Sequence, residues 1–329
     1  MGDKRIKVSV LDVAPVWRGG SASGALRASL DLAKRVEALG YHRYWTAEHH
    51  NLPCLAATAP AVMAAQLANA TSTMRIGSGG VLLPNHAPLV VAEQFGVLSA
   101  FHPGRIDLGV GRAPGGDARV ATALRRAGDS GEDEFAAQLA ELAGYFGSGG
   151  PISAGAAAEH RPPIWLLGSS PSSAKTAARL GLRYAYAHQI KPATTEESLR
   201  AYRDGFQPSA DLAEPYAMVG AAVTVAESDA EADRIMRPYL LSRLSMRAGT
   251  GFDAFPSQQE ADAYSFSSEE REHVRGFADA QLVGGPDTVR QKATALLAAT
   301  GADELMALTL VPDPEDRVNS YRLLAEIVP

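Results

Sequence analysis

Apolar positions along this chain switch repeatedly between two patterns, short continuous runs and helical spacing, and the alternation itself predicts the architecture. Residues 7–13 form a β-branched run, residues 25–39 have a helical period closed by Gly40, and residues 44–49 form a second short run. The unit that organises the rest spans residues 74–116. Within it, residues 75–83 alternate Ile76, Val81 and Leu83 around Gly77, Gly79 and Gly80, residues 89–101 return to helical spacing, and His102-Pro103-Gly104 stops them before the strand at 105–110. Such a crossover implies parallel pairing, so the glycines at 79–80 and 109–111 fall on one rim.

The alternation continues. Strands are predicted at residues 163–168, 184–188, 216–225 and 304–310, with helices at 134–146, up to Gly181, 196–205, 229–247, after the Val283-Gly-Gly-Pro-Asp287 stretch, and at 315–327. Residues 147–158 read as loop. Residues 249–266 are polar, aromatic and rich in turn residues, which predicts a long excursion, either a mobile lid or a static insertion. Eight strands alternating with helices favour a single (β/α)8 TIM barrel over residues 1–329, with active residues at the strand C-termini. The helices at 59–70 and 89–101 are apolar nearly all round, which fits a homodimer interface or burial under a long loop.

Composition narrows the function. With 46% hydrophobic and 21% charged residues the 329-residue chain is globular, and a net charge of -6 without a basic stripe gives no support to nucleic-acid binding. One cysteine, Cys54, excludes an internal disulfide and a multi-cysteine metal site. The start lacks a long apolar segment and no later run has spanning length, so a cytoplasmic protein without membrane association is expected.

Two places on the expected rim carry chemistry. Glu48-His49-His50-Asn51 follows the second strand; adjacent histidines invite a metal, but alternation along a strand points them to opposite faces, which favours pocket-lining or structural roles and no metal. The serines Ser169, Ser170, Ser172 and Ser173 precede a helix directly after an apolar strand, so free amides and hydroxyls make either a phosphate seat or an ordinary cap. Arg112, at the neighbouring strand end after Gly111, favours the phosphate. Pro114 stands at the third position of a would-be dinucleotide fingerprint, and no acidic strand end follows, which rejects a Rossmann reading.

The segments TAEHHN, GSGGVLLPNHAP, AEQFGVLSAFHPGRIDLGVGRAPG, PIWLLGSS and VGGPDTV together resemble the bacterial luciferase-like flavin monooxygenases over nearly the whole length, nearest the single-polypeptide branch similar to the luciferase α subunit. Several members of that branch serve antibiotic and other natural-product biosynthesis. The resemblance implies a barrel that takes FMN as FMNH2 from a separate NAD(P)H:flavin reductase and uses O2 through a C4a-peroxyflavin to hydroxylate or epoxidise an apolar, aromatic or polyketide-like small molecule. It implies His49 as the catalytic histidine, Gly79 and Gly80 as a non-prolyl cis peptide or bulge facing the flavin ring, and Leu11, Asp12, Val13 and Ala14 beneath it. It further implies Gly111, Arg112, Ser170, Ser172 and Ser173 at the phosphate, and His50, His86 and His188 towards the substrate. Gly111 replaces luciferase's reactive cysteine, so light emission is not implied. The alternatives are F420-dependent hydride transfer and a non-catalytic flavin-binding relative.

Overall fold

The computed structural model describes residues 6–124, 131–147, 152–249 and 251–328. In chain order its elements are β1 Lys7–Asp12, α1 Ala22–Ala38, β2 Arg43–Thr46, α2 Pro60–Ala70, β3 Arg75–Ser78, β4 Val81–Leu82, α3 Pro88–Phe101, β5 Ile106–Gly111, α4 Ala118–Ala123, α5 Glu132–Gly144 and β6 Ile164–Gly168. There follow α6 Pro171–Arg179, β7 Arg183–Ala187, α7 Thr195–Asp204, β8 Ala217–Val225, α8 Asp229–Arg247, α9 Gln258–Ala263, α10 Ser268–Asp279, β9 Leu282–Gly284, α11 Pro286–Thr300, β10 Glu304–Leu308 and α12 Pro314–Ile327.

The strands pair in parallel in the order β1-β2-β3-β5-β6-β7-β8-β10, and β10 returns to β1, which closes an eight-staved barrel. Both faces of these strands are covered, which is why they read as continuous apolar runs. Parallel closure brings every strand C-terminus to one rim.

Several expected boundaries move. The third stave, read as one run over 75–83, is β3 and β4 separated by a cis Gly79–Gly80 peptide. A side chain has no room at either glycine: a Cβ at Gly79 would lie 2.6 Å from Leu11 Cδ1, and one at Gly80 would lie 2.8 Å from the Gly109 carbonyl oxygen. The second stave ends at Thr46, so Glu48, His49 and His50 stand in the loop beyond it. β9 was unexpected; its three residues extend the sheet beside β8. Of the loop expected at 147–158, residues 148–151 lie outside the described residues, and Gly155–Ala158 is a 3-10 turn lodged against Gly96 of α3.

The late excursion carries helix α9 and is tied down. Phe255 is buried, its amide donates to the Val16 carbonyl and its carbonyl accepts from the Arg18 amide, both at 2.8 Å, and Arg18 pairs with Glu260 at 3.1 Å. The segment therefore rests on the loop that leaves β1 at the rim, as a docked cover. Helix α10, which follows it, was also unexpected; its Ser267–Glu270 capping box is a legible start signal inside an otherwise polar stretch.

At the opposite, N-terminal end of the barrel the interior is charged. Arg43 bridges Asp107 (2.5 Å) and Glu304 (2.6 Å), Arg75 adds a second contact to Asp107 at 2.6 Å, and Ser9 and Tyr216 donate to Glu304. Arg43 also lies over the Trp165 ring, 4.8 Å from its centroid. Buried charges persist only when paired this completely.

Candidate active site at the barrel rim

Beginning with β1, Leu11 is buried against Gly79, so the apolar side chain and the glycine backbone form one ledge. Asp12 is occupied within the protein. Its carboxylate accepts from Ser29, Tyr44 (2.7 Å), Arg317 (2.8 Å) and the Ala14 amide (3.1 Å). Burial opposes ionisation, but Arg317 and these donors outweigh it and hold the carboxyl below its ordinary value. Asp12 thus anchors the turn, and Val13 and Ala14 follow it buried, with Ala14 at a φ of 46°, a left-handed conformation uncommon outside glycine.

Beyond β2 the three consecutive side chains of the Glu-His-His motif divide. Glu48 turns into the protein, where its Oε1 accepts from His50 Nε2 and His86 Nε2, each at 2.8 Å, and its Oε2 accepts from the Leu82 amide at 3.0 Å. His49 takes another direction. Its Nδ1 is buried with no hydrogen-bond partner among the described residues, and burial lowers its pKa below 6.5, so the ring is neutral near pH 7. His50 and His86 meet although they come from different staves. His188 stands apart from them: its Nδ1 pairs with Thr195 Oγ1 at 2.8 Å and its Nε2 donates to the Ala280 carbonyl at 2.7 Å, so both ring nitrogens are used to pin the β7–α7 loop to the end of α10.

Of the two roles raised for the serine stretch, the cap is present. Ser170 caps α6, its hydroxyl accepting from the Ser173 amide at 3.3 Å, while the Ser173 hydroxyl donates to the Ser170 carbonyl at 2.8 Å. Ser169 contributes its carbonyl to Tyr186. Ser172 faces outward and donates to Glu132 Oε1, the same oxygen that lies 3.5 Å from Arg112 Nη1. A carboxylate on α5 thus sits where an arginine, a serine hydroxyl and the N-terminus of α6 converge, and stands in for an anion there. The cleft lined by these groups with Phe135 and Leu167 measures about 30 Å³. At Gly111, which ends β5 just before Arg112, an added Cβ would touch only Leu82 among the described residues, at 3.7 Å.

Sequence reasoning missed Glu48 and Glu132. Glu48 was visible as a carboxylate beside two histidines in TAEHHN; Glu132 carried no motif, because its role depends on how α5 lies against α6.

A closed parallel barrel with these side chains gathered at its strand C-termini is the architecture of a barrel enzyme whose site lies at the rim. Residues 6–304 match the family model described as "Luciferase-like monooxygenase", and the chain belongs to that family of flavin-dependent monooxygenases. It is 41% identical over 330 residues to a "Luciferase-like monooxygenase" of Escherichia coli strain K12, covering 99% of this chain and 98% of that protein. It is 32% identical over 336 residues to the "N-acetyl-S-alkylcysteine monooxygenase" of Bacillus subtilis strain 168, with 98% of each covered. The solved structure of apo-MsnO8 superposes with a TM-score of 0.89 at 39% identity, covering 98% of both chains. The fold alone is shared, at a TM-score of 0.72, with the oxygenating constituent of 3,6-diketocamphane monooxygenase from Pseudomonas putida in complex with FMN (19% identity, 98% of each chain). It is also shared with an F420-dependent secondary alcohol dehydrogenase (TM-score 0.72, 14% identity, 99% of this chain and 98% of that one). Among the described residues, no helix is long and apolar enough to cross a membrane.

Proposed function

We propose that this protein is the oxygenating component of a two-component monooxygenase that uses FMNH2, delivered by a separate NAD(P)H:flavin reductase, and O2 to hydroxylate or epoxidise an apolar, aromatic or polyketide-like small molecule. The observation that carries the reading is the presence, at the same barrel rim, of the Leu11–Gly79 ledge and the Arg112–Ser172 anion seat. The residues fit FMN. The carboxylate of Glu132 already occupies the seat that the phosphate would take, and the unpartnered His49 Nδ1 offers a polar ring atom a buried contact.

Bound reduced flavin would supply the activation of O2, and the chain's own contribution is positioning and exclusion of water. Arg112, Ser172 and the α6 N-terminus would hold the phosphate, with Ser170 and Ser173 keeping that N-terminus in shape. Leu11, Gly79 and Gly80 would support the ring plane. His49, neutral and buried, holds or releases a proton at Nδ1. Trp17 and Phe252, both packed on Phe255 at 5.1 Å, give the docked cover an aromatic surface suited to an apolar substrate. N-acetyl-S-alkylcysteines, named for the relative from Bacillus subtilis, form a second substrate class to assay.

A homodimer is part of this reading. Val62 on α2 and Val90, Val97 and Phe101 on α3 are exposed, Phe101 at 77%, although the other side of α3 is covered by the turn at Gly155–Ala158. Incubation with FMN, a flavin reductase, NADH and isotopically labelled O2 should place label in product. Tight F420 binding with no labelled product would replace the reading with hydride transfer.

A further inference from the structure

The three histidines expected towards the substrate, His50, His86 and His188, differ in how their rings are used. His188, 8% exposed, spends both nitrogens on protein partners, as a structural histidine does. His50 and His86 each spend only one. Their side chains keep 19% and 32% of their surface, and Nδ1 of each has no hydrogen-bond partner among the described residues. Their backbones are fixed independently, His50 by its amide to the Gly115 carbonyl at 2.8 Å and His86 by its amide to the Leu83 carbonyl at 3.0 Å. What joins them is Glu48, whose side chain is fully buried between them.

An ionised carboxylate has lone pairs and no proton to give. Burial raises the Glu48 pKa, but the His86 and His50 hydrogen bonds and the Leu82 amide together bring it below the ordinary glutamate value. Both Nε2 atoms therefore carry a proton in their bonds to Oε1, and a ring in its neutral form has its lone pair on Nδ1. Each histidine is bonded to Glu48 at 2.8 Å, and no described set of His, Cys, Asp and Glu side chains is spaced to hold a metal ion.

We infer that Glu48 is a positioning residue that locks His50 and His86 in the Nε2–H form and presents their two Nδ1 atoms as acceptors for a substrate O–H or N–H group. The word substrate rests on the proposed monooxygenase reading; the tautomer lock does not. The inference refines the substrate class: an apolar body bearing a hydrogen-bond donor, such as a phenol or an amide, in place of a plain hydrocarbon. An imidazole held through one nitrogen by a carboxylate is also oriented to take a proton at the other, so the same pair can act as base on that donor.

Long-range proton–nitrogen NMR of the nitrogen-15-labelled protein, at a pH where the rings are neutral, reads the tautomers directly, with His50→Asn and His86→Asn used for assignment. Wild type should show both rings protonated at Nε2. Glu48→Gln should give mixed tautomers at one or both rings while circular dichroism remains native. Titration with phenol as probe should move the Nδ1 resonances of His50 and His86, and toluene should leave them in place. Protonation at Nδ1 in either wild-type ring overturns the inference even if the variant fails to fold, as does a Glu48→Gln spectrum with unchanged tautomers. Equal response to phenol and toluene, or to neither, removes the acceptor role. In the reconstituted system, Glu48→Gln should leave FMN affinity within twofold of wild type and lower product formation at least tenfold. Loss of flavin binding in wild type would sink the monooxygenase reading and leave the NMR result standing.

Discussion

Arg112 Nη1 lies 3.5 Å from Glu132 Oε1, and Ser172 donates to that same oxygen. Both partners of the ion pair are about half exposed, so the contact itself stabilises little, on the order of 0.5–1 kcal/mol. A dianionic phosphate displacing the carboxylate from Arg112 and Ser172 would gain charge-assisted hydrogen bonds worth more. Glu132→Gln should therefore strengthen FMN binding by roughly two- to fivefold, the factor that 0.5–1 kcal/mol represents. Arg112→Ala should weaken it by about tenfold or more, since a hydrogen bond to a charged group contributes ~1.5–3 kcal/mol. Titration calorimetry with FMN measures both; weaker binding in Glu132→Gln would show that the acid is no competitor.

Two glycines on neighbouring staves should respond oppositely to alanine. At Gly80 the new methyl would meet the Gly109 backbone at 2.8–3.0 Å, and backbone cannot swing aside, so Gly80→Ala should cost ~1–3 kcal/mol in urea unfolding. At Gly111 the only neighbour among the described residues is Leu82 Cδ2 at 3.7 Å, so Gly111→Ala should stay within about 0.5 kcal/mol of wild type. If Gly111→Ala proves as damaging as Gly80→Ala, the open space beside Arg112 is absent.

These sites also mark how far the sequence could be read. Alternating runs carry the barrel because each stave must be apolar on both faces, and the glycines at 79–80 carry the rim because a Cβ at either would crowd its neighbours. Asp12 looked like a rim residue and lies at the rim, but Ser29 and Arg317, 17 and 305 positions away, claim its carboxylate, and no local pattern reveals such partners. His188 is diverted in the same way by Ala280, from a helix hidden in a polar stretch. Single charges in the apolar strands RYWT, IDLGVG and ELMAL were the available signal for the Arg43–Asp107–Glu304 network.

That network should be brittle to one change and tolerant of two. Arg43→Met leaves Glu304, fully buried, with Ser9 and Tyr216 as remaining donors and no cation, whereas Asp107 keeps Arg75. The single variant should lose ~3–5 kcal/mol, and adding Glu304→Gln should recover much of it by removing the stranded charge. Denaturant midpoints for the single and double variants test this, and no recovery in the double variant would mean that packing against Trp165, not charge, sets the cost.

Val90, Val97 and Phe101 fall 7 and 11 residues apart on α3, which puts them on one outward face. A homodimer through this face should be broken by Val97→Asp with Phe101→Glu, since two buried carboxylates facing their symmetry mates would be unpaired. Sedimentation should then change from dimer to monomer with the melting curve still cooperative. A wild-type monomer at micromolar concentration would remove the interface.

Acid should unfold this protein partly through Asp12. Its native carboxyl titrates below the 3.8 of the free side chain, because Arg317 and the Ser29, Tyr44 and Ala14 donors outweigh burial. A depressed native pKa stabilises the fold fully above the unfolded-chain value, and the contribution decays as pH falls below about 4 towards the native value. Asp107, buried between Arg43 and Arg75, is lowered in the same direction and adds to the same slope. Asp12→Asn should be less stable at neutral pH, because Arg317 loses its charged partner in a site where its side chain is 8% exposed. Between pH 5 and pH 3 its stability should fall less steeply than that of wild type, since one of the carboxyls held below its ordinary value is gone. Urea midpoints collected across that range would decide it: parallel curves for the two proteins would mean that the Asp12 carboxyl is not shifted below its unfolded value in the native barrel.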